Sequence, residues 1–269
     1  MATYLDELIA GARRRVADAC QREDLDALRA RASSVPPPPS LHTALSGPGV
    51  SVIAEVKRAS PSRGDLVADL DAAAQAAAYR DGGAAAVSVL TEPDSFRGTL
   101  DDLAAVSALG IAALRKDFVV DPYQVLEARA AGAAAVLLIV AALTARDLQT
   151  LIRSCREAGV EPVVEVHDAE EARVAVDSGA TTVGVNARDL HTFELDRGTF
   201  AKVRPHLPEG TLAVAESAIR GPDDMRAVAL AGADAVLVGE SLMRAADPRA
   251  AVALLVSAGA APLTATEYR

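Results

Sequence analysis

The chain has 269 residues, of which 51% are hydrophobic and 24% charged, and its formal net charge is -10. This composition is typical of a globular protein, and the length suits either two small domains or one α/β barrel of about 250 residues. The acidic balance argues against a broad nucleic-acid-binding surface, so an anionic ligand would need a local basic pocket.

The cysteine content and the apolar stretches point to a protein of the reducing cytoplasm. Two cysteines, Cys20 and Cys155, are too few for a disulfide framework, and we expect both thiols to be packing residues. The longest apolar stretch, residues 130–143, contains Gly132 and is shorter than the about 20 residues that a membrane span needs. The N-terminus lacks a basic segment followed by an apolar one, so we expect no secretory signal.

The first element in chain order is a helix predicted over residues 4–33. Apolar residues recur along it at intervals of three and four, at Leu5, Leu8, Ile9, Ala12 and Val16. The four prolines at 36–39 then stop any helix and predict a stiff, extended connector.

Beyond the connector, eight short β-rich runs alternate with stretches of helical spacing. The runs lie near residues 51–57, 85–90, 111–116, 134–140, 161–166, 181–186, 211–216 and 234–238. Two of the intervening helices are predicted over residues 69–80 and 122–131. Eight strands separated by helices indicate parallel strands joined by crossover helices.

A repeated Gly-Ala motif favours a closed barrel over an open sheet. Gly83, Gly132, Gly179 and Gly232 each precede an even-numbered run, at offsets of 49, 47 and 53 residues, or about two βα units. Each glycine lies where a helix should end and turn into a strand, a position that favours a left-handed backbone. We predict an α/β protein with a single (β/α)8 TIM barrel over residues 51–269 and an N-terminal helical extension over residues 1–50.

Charged and amide side chains end most of the predicted strands. Glu55 and Lys57 share the face of Ile53, and two charges that face a core are costly unless they are paired or used. Active sites of barrels lie at the C-terminal ends of the strands, so these side chains should converge at one mouth. The converging set is Glu55, Lys57, Lys116, Glu165, Asn186 and Glu216. Two lysines among carboxylates make acid and base roles available near neutral pH.

Other residues after the strands indicate a phosphate site and an apolar wall. Barrels often bind phosphate through the loops after strands seven and eight and a short helix start. The residues at that position are Ser217, Ala218, Gly239, Glu240 and Ser241. Phe96, Phe118 and Phe193 follow three other strands, where they either anchor loops or form a wall for an aromatic ring.

These segments resemble the indole-3-glycerol-phosphate synthase family of tryptophan biosynthesis. They occur in order between residues 53 and 243, with family-like spacing, and the helix before the barrel is also typical of that family. The matching segments are Ile53-Ala54-Glu55-Val56-Lys57-Arg58-Ala59-Ser60-Pro61-Ser62, Ser88-Val89-Leu90-Thr91-Glu92, Leu114-Arg115-Lys116-Asp117-Phe118, Asp121-Pro122-Tyr123-Gln124, Val164-Glu165-Val166-His167, Asn186-Ala187-Arg188-Asp189-Leu190, Glu216-Ser217 and Val238-Gly239-Glu240-Ser241-Leu242-Met243.

The resemblance implies a lyase reaction that needs no metal or organic cofactor. The substrate would be 1-(2-carboxyphenylamino)-1-deoxyribulose 5-phosphate, which closes to indole-3-glycerol phosphate with loss of CO2 and water. Lys116 would be the acid at the carbonyl oxygen, Lys57 would hold the substrate carboxylate or act in dehydration, and Glu165 would be the base. Glu55 and Glu216 would orient the lysines and the sugar hydroxyls. Substrate contacts would come from Asn186, Ser60, Pro61, Phe96, Phe118, Leu137, Arg188, Leu190 and Ile219.

One position departs from the family pattern. The family usually has a glycine after the Glu-Ser pair of strand seven, and this chain has Ala218. If that position needed a positive φ, alanine would cost roughly 1 kcal/mol or more. We expect a negative φ at Ala218 and intact phosphate binding.

Two alternatives stay open at this point. One is another phosphate-binding barrel enzyme, such as phosphoribosylanthranilate isomerase or the tryptophan synthase α subunit. The isomerase needs a cysteine and an aspartate at strand ends, and neither Cys20 nor Cys155 lies at one. The other alternative is a non-catalytic scaffold, which would tolerate the loss of Lys116 or Glu165. We also expect a cytoplasmic protein, a monomer or weak dimer, that binds a small phosphorylated substrate and neither nucleic acid nor membrane.

Overall fold

Eight parallel strands close into a barrel in the computed structural model, which describes residues 3–61, 64–67, 69–190 and 192–260. The strands are β1 Ser51–Val56, β2 Ala86–Leu90, β3 Ala112–Lys116, β4 Ala135–Ile139, β5 Glu161–Val166, β6 Thr182–Asn186, β7 Leu212–Glu216 and β8 Ala235–Val238. Neighbours in sequence pair with each other, and β8 closes on β1 from the Ser51–Ala235 pair to the Ala54–Val238 pair. The predicted barrel is confirmed, and every strand lies within one residue of its predicted bounds.

Helices precede the barrel and alternate with its strands. They are α1 Tyr4–Arg22, α2 Leu25–Ser34, α3 Leu41–Leu45, α4 Ala72–Asp81, α5 Leu100–Ser107, α6 Pro122–Ala130, α7 Ala145–Ala158, α8 Ala169–Asp177, α9 Thr199–Val203, α10 Pro222–Leu230, α11 Glu240–Met243 and α12 Pro248–Ala260. Short 3-10 turns span Val140–Ala142 and Arg204–His206. After β1, Ala59–Ser60 pairs antiparallel with Gly64–Asp65.

Two apolar layers follow from the alternation of side chains along the strands. Outward-facing residues such as Val52 and Val87 pack with helix residues such as Tyr79 and Leu103. Inward-facing residues, among them Ile53, Leu114 and Leu137, fill the interior of the barrel. Strands that are buried on both faces read as nearly continuous apolar runs, which is why they stood out in the sequence.

The N-terminal segment forms separate helices, and the prediction of a single helix over residues 4–33 was wrong. Glu23 is extended (φ -139°), and Asp24 starts α2 by accepting a hydrogen bond from the Ala27 amide at 2.8 Å. An N-cap aspartate stabilises a new helix start, which here interrupts an otherwise helical pattern. The short helix α3, after the prolines, was not predicted.

The N-terminal helices reach from one end of the barrel to the other. At the C-terminal mouth, the Tyr4 hydroxyl of α1 donates to Ser95 Oγ at 2.7 Å, and its ring meets Phe193 edge-on with centroids 5.3 Å apart. Helix α2 packs along α6 on the side of the barrel. At the opposite end, the His42 amide of α3 donates to Glu161 Oε2, at the start of β5, at 2.7 Å. The extension therefore contacts both ends of the barrel.

Several smaller expectations can be compared with the structure. The four motif glycines have φ of +82° to +94°, as predicted for left-handed turns. Cys155 is buried, but Cys20 is exposed because it lies beside the buried face of α1 that Ala19 occupies, so a packing role for Cys20 was wrong. Within the described ranges, no helix is long and apolar enough to cross a membrane. Ser62 of the first motif and residues 261–269 of the predicted barrel domain lie outside the described residues.

Candidate active site

Lys116, the last residue of β3, lies between two buried carboxyl groups at the C-terminal mouth. Its Nζ is 3.1 Å from Glu165 Oε2 at the end of β5 and 3.6 Å from Glu216 Oε2 at the end of β7. Burial by itself would lower the pKa of Lys116, but the carboxylates of Glu165, Glu216 and Glu55 raise that pKa well above its ordinary value. The resting lysine is therefore protonated and can act as an acid.

Glu55 and Lys57 form a second pair at the end of β1. Lys57 Nζ is 2.5 Å from Glu55 Oε1, and the side chain of Glu55 is 6% exposed. The room for this pair comes from Gly239, since a Cβ there would collide with Glu55 Oε1 and lie 3.1 Å from Lys57 Nζ. The charged pair predicted from the alternating pattern of β1 thus faces the barrel interior, as expected.

The carboxylate of Glu165 has a partner on each oxygen. Asn186 Nδ2 donates to Oε1 at 3.2 Å, His167 Nε2 lies 3.4 Å from the same oxygen, and Lys116 donates to Oε2. Burial would raise the pKa of Glu165, but Lys116, His167 and Asn186 together hold it well below its usual range. Glu165 is therefore a carboxylate in the resting site.

Glu216 has the opposite protonation behaviour. Burial raises the pKa of Glu216 to about 8, with the neighbouring charge of Glu165 adding to the effect and Lys116 opposing it. A glycine inside β6 makes the room for this side chain, because a Cβ at Gly184 would collide with Glu216 Oε1. The two carboxyl groups beside Lys116 have pKa values that are pushed apart, an arrangement that separates acid and base roles.

The turn after β7 contradicts the expectation for Ala218. Ser217 and Ala218 have φ of +64° and +66°, so the predicted negative φ at Ala218 is wrong. These two left-handed residues turn the chain sharply at the end of β7. As a result, Ser217 Oγ donates to Asn186 Oδ1 at 2.8 Å, while the Ile219 carbonyl, at the far side of the turn, accepts from Ser241 Oγ at 3.2 Å.

One cavity of about 360 Å³ brings the predicted site residues together. Every residue predicted for catalysis, substrate contact or phosphate binding lines it: Glu55, Lys57, Lys116, Glu165, Asn186, Glu216, Ser60, Pro61, Phe96, Phe118, Leu137, Arg188, Leu190, Ile219, Ser217, Ala218, Gly239, Glu240 and Ser241. Phe96 and Phe118 are neighbours on its wall, with ring centroids 6.4 Å apart. Helix α11 begins at Glu240 with Gly239 as its N-cap, which is the short helix start predicted after the last strand.

Sequence reasoning missed the ion pairs that join α1 to the mouth. Arg15 reaches Glu92 Oε1 at 3.2 Å and Asp117 Oδ1 at 3.3 Å, and the side chains of Glu92 and Asp117 are each 1% exposed. Glu92 Oε2 also accepts hydrogen bonds from the amides of Ser95, at 2.7 Å, and Phe96, at 3.1 Å. Arg15 therefore connects α1 to the loop that carries Phe96. The only signal in the sequence was an arginine beside the apolar stripe of α1.

His167 and the glycine within β6 were also missed as functional positions. His167 was part of a matching segment but received no role, because its contact with Glu171 depends on how α8 follows β5. A glycine in the interior of a strand was the available signal at 184, since such a position often marks a close approach by another group.

Comparison with known proteins gives a consistent family. The family model described as indole-3-glycerol phosphate synthase matches residues 5–255. The chain is 53% identical over 265 residues to the indole-3-glycerol phosphate synthase of Mycolicibacterium smegmatis, covering 97% of this chain and 96% of that protein. It is 54% identical over 261 residues to the enzyme of the same name from Streptomyces griseus, covering 97% of each.

Solved structures of lower sequence identity share the fold. A 3-hexulose-6-phosphate synthase from Salmonella typhimurium superposes with a TM-score of 0.60 at 18% identity, over 78% of this chain and 98% of that one. A thiamine phosphate pyrophosphorylase from Pyrococcus furiosus gives the same TM-score and identity, over 78% of this chain and 94% of that one. These matches bear on the barrel fold alone.

Proposed function

The chain belongs to the indole-3-glycerol phosphate synthase family, and from this premise we propose which of its residues perform the family's reaction. The enzyme is a decarboxylating lyase of tryptophan biosynthesis. It converts 1-(2-carboxyphenylamino)-1-deoxyribulose 5-phosphate into indole-3-glycerol phosphate, CO2 and water. The proposal depends most on one observation, a protonated Lys116 held between Glu165 and Glu216 at the mouth of the barrel.

Lys116 is the acid of the ring closure. When the ring carbon that bears the carboxylate attacks the ribulose carbonyl, negative charge develops on the carbonyl oxygen. The Lys116 ammonium stabilises that charge and transfers its proton to the oxygen. CO2 then leaves from the attacking ring carbon, and the electron pair of the broken bond restores the aromatic ring.

Lys57 holds the substrate carboxylate, and Glu55 holds Lys57. The side chain of Lys57 is 15% exposed and lies at the edge of the cavity, where an anionic substrate group can reach it. Its pairing with Glu55 at 2.5 Å fixes the position of the ammonium group. A carboxylate bound there would share the cavity with Phe96 and Phe118, whose apolar wall suits the anthranilate ring.

Glu165 is the base of the dehydration. It is ionised in the resting site, and it loses a partner once Lys116 has given its proton to the substrate. Glu165 removes one proton, and Lys57, which is free once CO2 has left, donates the proton with which the hydroxyl departs as water, giving the indole ring. Glu216 and Asn186 orient Lys116 and Glu165 and contact the sugar hydroxyls, while Arg188 and Ser60 contact the substrate from the rim.

The phosphate binds at the ends of β7 and β8. The backbone around Ser217, Ala218, Gly239 and Ser241, together with the start of α11, supports this position, because peptide N–H groups at such turns bind anions. We further propose that the enzyme is a cytoplasmic monomer or weak dimer with a single structural domain. The contacts of the N-terminal helices with both barrel ends support the single domain.

An indole fluorescence assay tests the function directly. The chain contains no tryptophan, so formation of the indole product is detected with little protein background. We expect the wild-type enzyme to form fluorescent product from the carboxyphenylamino-deoxyribulose phosphate. The matched negative control is the double variant Lys57→Met with Lys116→Met. A folded wild-type protein that forms no product would contradict the proposed synthase activity.

A further inference from the structure

His167 is the first residue after β5, and it lies between two carboxylates. On one side, Nε2 is 3.4 Å from Glu165 Oε1. On the other side, Nδ1 is 3.0 Å from Glu171 Oε2, and the same oxygen accepts a hydrogen bond from the His167 amide at 2.8 Å. The side chain of His167 is 14% exposed. An imidazole with a carboxylate near each nitrogen is favoured as an imidazolium, which here hydrogen-bonds Glu171 through Nδ1 and faces the Glu165 carboxylate with Nε2 at ion-pair distance.

The electrostatic surroundings of His167 favour its charged form. Burial alone would lower the pKa of His167, but Glu165 and Glu171 raise it to about 10. The charged groups that face it are Glu165 from β5 and Glu171 from α8, with Lys116 of β3 on the far side of Glu165. Asn186 of β6 shares the Glu165 oxygen that His167 approaches. Nε2 itself has no hydrogen-bond partner among the described residues, so its 3.4 Å approach to Glu165 Oε1 is an ion-pair contact and not a hydrogen bond.

The two carboxyl groups that flank Lys116 differ in the hydrogen-bond donors and cations that surround them. Glu165 has Asn186 and His167 at Oε1 as well as Lys116 at Oε2. Glu216 has Lys116 at 3.6 Å, and its Oε1 has no hydrogen-bond partner among the described residues. Hydrogen bonds and cations favour the ionised form of a carboxyl group, so the group with the richer set of donors is the one that stays ionised.

We propose that His167 is a positioning residue whose imidazolium holds Glu165 ionised and oriented, so that Glu165 and not Glu216 is the base of the dehydration. This inference rests on the proposed role of Glu165. His167 touches no substrate in this arrangement. It acts through Glu165, and Glu171 in turn holds the ring of His167 in place through Nδ1.

The test is a pH profile of kcat for His167→Gln. Without the imidazolium, the pKa of Glu165 rises, and a base that must be ionised is then lost at a higher pH. We expect the acid limb of kcat to move upward by roughly one pH unit or more. At pH 7, where Glu165 stays ionised, the loss of its orientation should lower kcat about tenfold or more while KM changes by less than about threefold. Glu171→Gln should shift the acid limb in the same direction by a smaller amount, and His206→Gln, at an exposed position, should leave the profile unchanged.

A purely structural role would give a different result. In that case kcat and thermal stability would fall together and the acid limb would stay in place, which overturns the proposal. If His167→Gln does not fold, 15N NMR of the histidine-labelled wild-type enzyme decides. We expect His167 to carry protons on both ring nitrogens at pH 8, and a neutral His167 at that pH contradicts the proposal.

The failure of this inference can be distinguished from a failure of the proposed function. If Glu165→Gln keeps its turnover, the proposed role of Glu165 is wrong. If Glu165→Gln is inactive and His167→Gln keeps the wild-type acid limb, only the role of His167 is wrong.

Discussion

Ala218 holds a backbone conformation that alanine rarely adopts. It follows Ser217, so that two consecutive residues with a Cβ are left-handed beside the proposed phosphate position. Each such residue costs roughly 1–2 kcal/mol relative to a right-handed conformation, because the Cβ approaches the following carbonyl oxygen. The surrounding contacts, including the Ser217–Asn186 hydrogen bond, hold the turn against this cost.

Replacing Ala218 by glycine should therefore stabilise the protein. We expect Ala218→Gly to raise the free energy of unfolding by about 1 kcal/mol, since glycine adopts a positive φ without strain. Urea denaturation measures the change. The matched control is Ala187→Gly, at a buried position of the same mouth without a positive φ, which should lower stability by about 0.5–1 kcal/mol. A loss of stability in Ala218→Gly would contradict the claim that the backbone is strained at Ala218.

At this scale, the sequence predicted which side chains face the mouth but not their closest neighbours. The alternation of side chains along a strand is enough to place Glu55, Lys116 and Glu216 on the inner face. The contact between Glu216 and the glycine of β6 depends on the register of two strands about 30 residues apart in the chain. The φ of Ala218 depends on the same packing, and no local pattern encodes it.

Among the elements, α1 contacts the mouth of the barrel through Tyr4 and through Arg15, which pairs with two buried carboxylates. The Arg15 side chain is 27% exposed and contacts Glu92 and Asp117, two buried carboxylates that lie just after β2 and β3. Arg115 also pairs with Asp117, and backbone amides donate hydrogen bonds to Glu92. Neither carboxylate is therefore left without partners when Arg15 is removed. Loss of Arg15 should weaken the docking of α1 without unfolding the barrel.

We expect Arg15→Ala to lower the free energy of unfolding by about 1–2 kcal/mol, because each of the two buried carboxylates loses a charged partner. KM should rise more than kcat falls, since the loop carrying Phe96 is anchored at Glu92. Denaturation and steady-state kinetics measure the two effects. Arg13→Ala, on the exposed face of the same helix, is the control and should change neither. If both variants behave alike, α1 is not held by these ion pairs.

The strands were easier to predict than the N-terminal helices for physical reasons. Each barrel strand is a largely apolar run that begins after a glycine or polar turn, most of them end at a charged or amide side chain, and burial on both faces makes such runs distinct. The break at Glu23 and Asp24 was missed because an aspartate there fits the polar face of a helix as well as an N-cap. Helix α3 has only five residues, too few to show a period.

For the molecule as a whole, His167 makes stability depend on pH above neutrality. Its pKa is about 10 in the folded protein, against an unfolded value of about 6.5. The folded state thus keeps a proton that the unfolded state loses. The stability from His167 is fully present below about pH 6.5 and is lost as pH rises to about 10, by at most about 1.4 kcal/mol per pH unit.

We expect His167→Gln to flatten the decline of stability between about pH 6.5 and 10. Glu216, whose pKa is raised to about 8, also makes stability fall with rising pH up to that value, so the comparison with wild type isolates the contribution of His167. Guanidinium denaturation at several pH values measures the slope. His206→Gln should keep the wild-type slope, and an equally steep decline in His167→Gln would show that the histidine is not held protonated.

The most direct test of the catalytic account is the kcat of Lys116→Ala, measured by indole fluorescence at saturating substrate. Under the proposed role of Lys116 as the donor of the proton to the carbonyl oxygen, we predict a loss of about 10³-fold or more in kcat. Lys202→Ala removes an exposed lysine that pairs with Asp196 and should keep the wild-type rate. A loss of about tenfold or less in Lys116→Ala would mean that another group is the acid of the ring closure.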